Sequence, residues 1–96
     1  MSEEVGSPQP LNVYDVVSIM LEQMASIAWQ KMGLHPDPIT GQLSNDFVQA
    51  KVAVDAAAYL GSLLTPELDE EDRRRIQNLL TDLKVNFVQR SQEVQN

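Results

Sequence analysis

Residues 12–33 read NVYDVVSIMLEQMASIAWQKMG, and this stretch decides the fold. Asn12 is a strong helix N-cap, and Asp15 three residues on is a short-armed version of the capping box. Leu11 and Val16 stand at the two hydrophobic-staple positions. Gly33 closes the segment as a left-handed C-cap residue, with Leu34 placed to fold back on Trp29 in a Schellman motif. Val13, Val17, Met20, Met24 and Ile27 recur at alternating spacings of four and three, and Leu34 follows seven residues on. Tyr14, Leu21, Ala25, Ala28 and Met32 make a second stripe beside the first. The pattern predicts a helix over 13–32 whose apolar face is wider than one partner helix covers.

Working outward, two more helices are legible. The second is expected from Asn45 to Leu64, with Ser44 as N-cap, Asp46 complementing the positive helix end, and Leu43 with Val48 as a staple. Its interior is built of small residues, Ala50, Ala53, Val54, Ala56, Ala57, Ala58 and Gly61, which let helix axes approach closely. Thr65-Pro66 ends it, because the residue before proline avoids the helical region. The third is expected from Glu70 to Arg90, capped by Asp69, with Ile76, Leu79, Leu80, Leu83, Phe87 and Val88 as its apolar face. Arg73, Arg74 and Arg75 stand one turn after Asp69, Glu70 and Glu71, so a salt-bridged surface explains the run better than a phosphate grip. No alternating strand pattern competes.

The expected class is therefore all-α: an antiparallel helical hairpin plus a third helix, assembling into a dimeric helical bundle. Residues 1–11 form a lead-in with little to bury, 12–90 a single three-helix domain, and 91–96 a frayed polar tail. Surface scaling gives roughly 15,500 Å² exposed when unfolded and roughly 5,500 Å² when folded for one compact chain of this mass.

The loop between the first two helices is the most distinctive stretch. Met32-Gly33-Leu34-His35-Pro36-Asp37-Pro38-Ile39-Thr40-Gly41 carries two prolines that fix φ, so it should be stiff. This phrase, following Ala28, resembles the signature of the small bacterial proteins grouped as domain of unknown function 1844. The resemblance continues through Ala50-Lys51, Val54-Asp55, Leu68-Asp69-Glu70-Glu71 and Asp82-Leu83-Lys84, then Phe87-Val88, covering roughly residues 12–90. Many of those proteins carry a lysine-threonine and glycine-asparagine element after the second helix. Here Gly61-Ser62-Leu63-Leu64-Thr65-Pro66-Glu67 stands instead, so no role of that element carries over. The resemblance implies a small helical protein and no particular reaction.

Charge and composition narrow the function. Seven Lys+Arg against fourteen Asp+Glu give a net charge of −7, which disfavours phosphate backbones, so no nucleic-acid partner is expected. With no cysteine and a single histidine there is no thiolate site and no multi-histidine metal site, and no cofactor is expected. His35 with Asp37 is the one pair on the loop that could act as a dyad; a solvent-facing histidine is the simpler reading. The candidate functional loop is His35, Asp37, Thr40 and Gly41. Asp55 is expected partly buried, paired with Lys51 or Asp82.

The apolar segment 13–32 is long enough to cross a bilayer, but Asp15, Glu22, Gln23, Gln30 and Lys31 interrupt it, so no membrane span is expected. The acidic opening residues are unlike a secretory leader, which points to the cytoplasm. Val17, Met20, Met24 and Ile27 are the expected self-association interface of a homodimer or higher homo-oligomer. Function is read as a non-catalytic helical interaction module, with an unknown protein partner as a further possibility. The alternative is a binder of a small apolar ligand against a pliable methionine wall.

Overall fold

The computed structural model describes residues 8–95, and among these the only regular secondary structure is helical. Helix α1 spans Val13–Lys31, α2 spans Phe47–Leu64, and α3 spans Glu70–Gln95; a single 3-10 turn, Thr65–Glu67, joins the last two. The ends follow the caps. Asn12 accepts the Tyr14 amide at 2.9 Å, and Asp69 accepts that of Asp72 at 2.8 Å. At the far end of α1, the Leu34 amide donates to the Trp29 carbonyl and the Gly33 amide to that of Gln30. Gly33 sits at φ 82°, completing the Schellman motif.

The start of α2 differs from expectation. Asp46, not Ser44, is the cap: its side chain accepts the Gln49 amide at 3.1 Å. Its own amide donates to the Lys31 carbonyl at 2.8 Å, stapling the start of α2 to the end of α1. That bond fixes where α2 begins. The proposed Leu43–Val48 staple is accordingly lost, with both side chains out in solvent.

The hairpin packs through small residues. Ala25 and Ala28 of α1 face Ala50, Ala53, Val54 and Ala57 of α2, all buried, with Met32 and Leu83 in the same cluster. The stripe Leu21, Ala25, Ala28 and Met32 is therefore the core face of α1; Tyr14, expected with it, is exposed. Helix α3 packs chiefly on α2 and meets α1 only weakly. Leu79, Leu80 and Phe87 pack partly buried against the cluster, and Phe47 meets Phe87 edge to face at a centroid distance of 6.1 Å. Val88, read as part of that face, is exposed. A Cβ on Gly61 would stand 2.8 Å from a Leu80 methyl, so glycine is what allows α3 to sit close there.

Three further readings are corrected. Asp55 is exposed rather than partly buried; it pairs with Lys51 at 2.8 Å, while Asp82 is also exposed. Arg73 does not pair with Asp69 but donates to the Thr65 and Leu68 carbonyls, capping the end of α2 and its turn. Arg74 and Arg75 do pair locally, with Glu70 at 3.7 Å and Asp72 at 2.9 Å. Finally, 91–95 are helical, so α3 runs past Arg90, supported by an Arg90–Glu93 pair at 3.0 Å and a Ser91 hydroxyl bond to the Val88 carbonyl. Of the expected lead-in, residues 1–7 lie outside the described residues, and 8–11 are exposed and irregular.

The result is elongated, 58 × 32 × 18 Å with a radius of gyration of 16.4 Å. A compact chain of this length has about 12.5 Å. Gly61→Val should crowd Leu80 and Ile76 and lower stability by about 1–3 kcal/mol, read as a shifted denaturation midpoint at unchanged m-value.

Candidate functional site

Two places could carry function: the loop between α1 and α2, and the open side of the hairpin. The loop is a closed clasp. The Asp37 carboxylate accepts the Ile39 amide at 2.7 Å and the Thr40 amide at 3.0 Å, an Asx turn. The Gly41 amide donates to the Asp37 carbonyl at 2.8 Å, and the Asp37 amide donates to the Gln42 carbonyl at 2.9 Å. The Thr40 hydroxyl accepts the Gln42 amide at 3.3 Å, and Gly41 takes φ 72°. Asp37, Thr40 and Gly41 thus act together, each spending its polar atoms on the turn itself.

His35 is not part of that clasp. Its ring lies 6.0 Å from the Trp29 ring, tilted by 34°, and the residue is exposed. The dyad imagined for His35 and Asp37 is replaced by two separate engagements, one aromatic and one with backbone amides. Backbone hydrogen bonds from Thr40 and then Ile39 hold the Asp37 carboxyl below its ordinary value; slight burial opposes them and Lys31 adds a smaller lowering. Among the described residues, no three His, Asp or Glu side chains come together as a metal site would require.

The open side is of another kind. Of the expected interface residues, Met20 and Ile27 are exposed, at 44% and 36%, while Val17 and Met24 are half-buried. Val13 continues the stripe toward the helix start. The stripe runs into a shallow groove of about 250 Å³ between the two helices, lined by Met24, Ile27, Gln49, Val52 and Ala53. A second groove of about 460 Å³ lies on the other flank of α2, where Phe47, Val48, Lys51, Val52 and Asp55 meet Phe87 and Ser91 of α3.

Sequence reasoning missed the α2 share of this surface. Val48, Val52, Tyr59 and Leu63 are all exposed on the side away from the alanines. The signal was present in their spacing, four, seven and four residues apart, but it is masked in a helix that is apolar nearly all round. The same apolarity makes Phe47–Glu67, rather than 13–32, the segment long and apolar enough by composition to cross a membrane. In this structure Ala50, Ala53, Val54, Ala57, Gly61 and Leu64 of that segment are buried against the rest of the protein.

A family model described as "Domain of unknown function (DUF1844)" matches residues 14–89, which takes in the loop, the hairpin and most of α3. No curated protein and no solved structure matches the chain.

The clasp has a pH signature. Because the Asp37 pKa is lowered, its contribution is complete above the ordinary aspartate range and is lost as the pH falls through the folded-state value. A carboxylate NMR titration should place Asp37 below the free-peptide value, and Asp37→Ala should speed hydrogen exchange at the Ile39 and Thr40 amides.

Proposed function

The chain belongs to the DUF1844 family, and from that premise we propose that it is a non-catalytic, homo-oligomeric interaction module that works by offering the open apolar side of its α1–α2 hairpin to another chain. The observation that carries this reading is the sorting of the two α1 stripes. One stripe is spent on the alanine seam; the other, through Val13, Met20 and Ile27, stays in water beside α2. Covering a large aliphatic side chain is worth about 1.5–3 kcal/mol, so several left exposed in one row favour a partner. The proposal includes a cytoplasmic setting, supported by the charges spaced through α1. It assigns no reaction to any residue.

A small apolar ligand is the second reading, favoured by the methionine-edged groove of about 250 Å³. That groove is below the usual 300–1,000 Å³ of ligand pockets and is open rather than enclosed, which supports a protein surface over a small molecule.

Light scattering across a dilution series tests the reading. The chain should weigh about twice its 10.7 kDa, and Met20→Glu with Ile27→Glu should give a folded monomer. A wild-type chain that stays monomeric at all concentrations would overturn it.

A further inference from the structure

The open side of the hairpin has an internal order that a single chain does not use. The Asp46 amide on the Lys31 carbonyl, the groove that Met24 and Ile27 share with Val52, and the approach of Leu21 to Gly61 fix how the two antiparallel helices align. Carried along both helices, that alignment sets Val17 level with Leu63, Met20 with Tyr59, Met24 with Ala56 and Ile27 with Val52. Each row recurs at spacings of three and four, so the four pairs are rungs on one face. Phe47 and Gly61, where α3 packs, stand about half a revolution away on α2 at 3.6 residues per turn. Helix α3 therefore leaves this face open.

Three observations favour a second copy as the cover. The first is the area of this face alone. Val13 and five of the rung side chains are 36–65% exposed. At about 100 Å² per large aliphatic side chain and about 200 Å² for a tyrosine, they leave about 400 Å² of apolar surface here. A standard interface takes about 450 Å² of apolar surface from each partner, and half-buried Val17, Met24 and Ala56 supply the rest. The second is charge. No rung residue is charged, and Asp15, Glu22 and Asp55 lie off the rows, so two chains of net charge −7 meet here without opposing acids. The third is size. Met20–Tyr59 is the bulkiest rung, Met24–Ala56 is the slightest, and the outer two hold equal numbers of side-chain atoms. A half-turn about an axis crossing the hairpin between the two middle rungs lays the bulkiest on the slightest and the outer two on each other. Every layer then fills evenly, as a packed core requires.

We infer that a second copy of this chain covers the rung face through that half-turn, α1 lying antiparallel on the partner's α1 and α2 on the partner's α2, with both α3 helices outside. Val17 then meets the partner's Ile27 and Tyr59 the partner's Ala56, each contact repeated in reverse by the symmetry. The product is a four-helix bundle whose neighbouring helices are all antiparallel. The other two-fold, parallel to the helices, stacks each rung on its own counterpart, crowding the Met20–Tyr59 layer and leaving a void at Met24–Ala56. This inference rests on the homo-oligomeric reading above and adds which helices meet and in what register.

The experiment uses single-cysteine variants of the full chain, which has no cysteine of its own, with circular dichroism as the check that each is folded. Val17→Cys and Ile27→Cys chains, mixed and mildly oxidised, should give a disulfide-linked dimer on a non-reducing gel, and neither variant alone should. Tyr59 is exposed in the single chain, so Tyr59→Glu acts on association. In sedimentation equilibrium it should raise the dimer Kd at least about thirtyfold with an unchanged monomer spectrum, as the loss of a central contact does. A linked dimer from mixed Ile27→Cys and Val52→Cys chains instead would overturn the register and leave the homo-oligomeric reading standing. A Tyr59→Glu dimer of wild-type Kd would do the same. A wild-type chain that never dimerises would overturn both readings.

Discussion

Everything in this fold depends on the alanine seam between α1 and α2. Ala25 and Ala28 against Ala50, Ala53 and Ala57 let the two helices approach more closely than leucines would permit. Close approach brings dispersion contact between backbones, but each alanine removes little apolar area from water. The bulk of the core must come from a few larger side chains: Leu21, Met32, Leu64 and Leu83 are the only fully buried ones of that size among the described residues. With the inner sides of both helices committed to small residues, the larger aliphatic ones stand outside. The exposed stripes of α1 and α2 are thus the complement of the seam.

Polar contacts then pin the ends of this narrow core. The Asp46 amide on the Lys31 carbonyl closes the hairpin at the loop end. Arg73 holds the carbonyls of Thr65 and Leu68, where α2 gives way to α3. Arg90, from the far end of α3, reaches the Met32 carbonyl at 3.4 Å. Each arginine supplies positive charge where a helix or turn ends in unsatisfied carbonyls. These cations serve the architecture as much as the surface.

Most of the fold was legible in the sequence because its ends are written in local chemistry. Asn12, Gly33 and Asp69 each bond within a few residues of themselves, and the sequence shows such partners directly. Ser44 and Asp46 are both good caps, and the choice between them is made by the Lys31 carbonyl, a tertiary partner. Arg73 likewise had an acidic neighbour at the right spacing, yet the exposed carbonyls of the turn were the better acceptor site. Asp55 looked buried because alanines surround it in sequence, though they lie on the other side of the helix. For the candidate surface, the 4-3 rhythm of α1 identified a stripe that remains at the surface. The α2 stripe was hidden because hydrophobicity on every side of a helix gives no direction. The loop residues were found by their turn chemistry, and His35 lies tilted beside Trp29 in a pairing that spacing alone does not specify.

The way the helices meet also sets how the chain acquires its shape. The α1–α2 contacts lie across one loop and the α2–α3 contacts across one short turn, while α1 and α3 share little beyond the corner around Met32, Leu83 and Arg90. Nearly all of the structure is therefore closed by nearest neighbours along the chain, the topology that folds fastest. The seam and the loop clasp draw most of their residues from before residue 64, while Leu83 and the Arg90 bond to the Met32 carbonyl bring α3 onto the same corner.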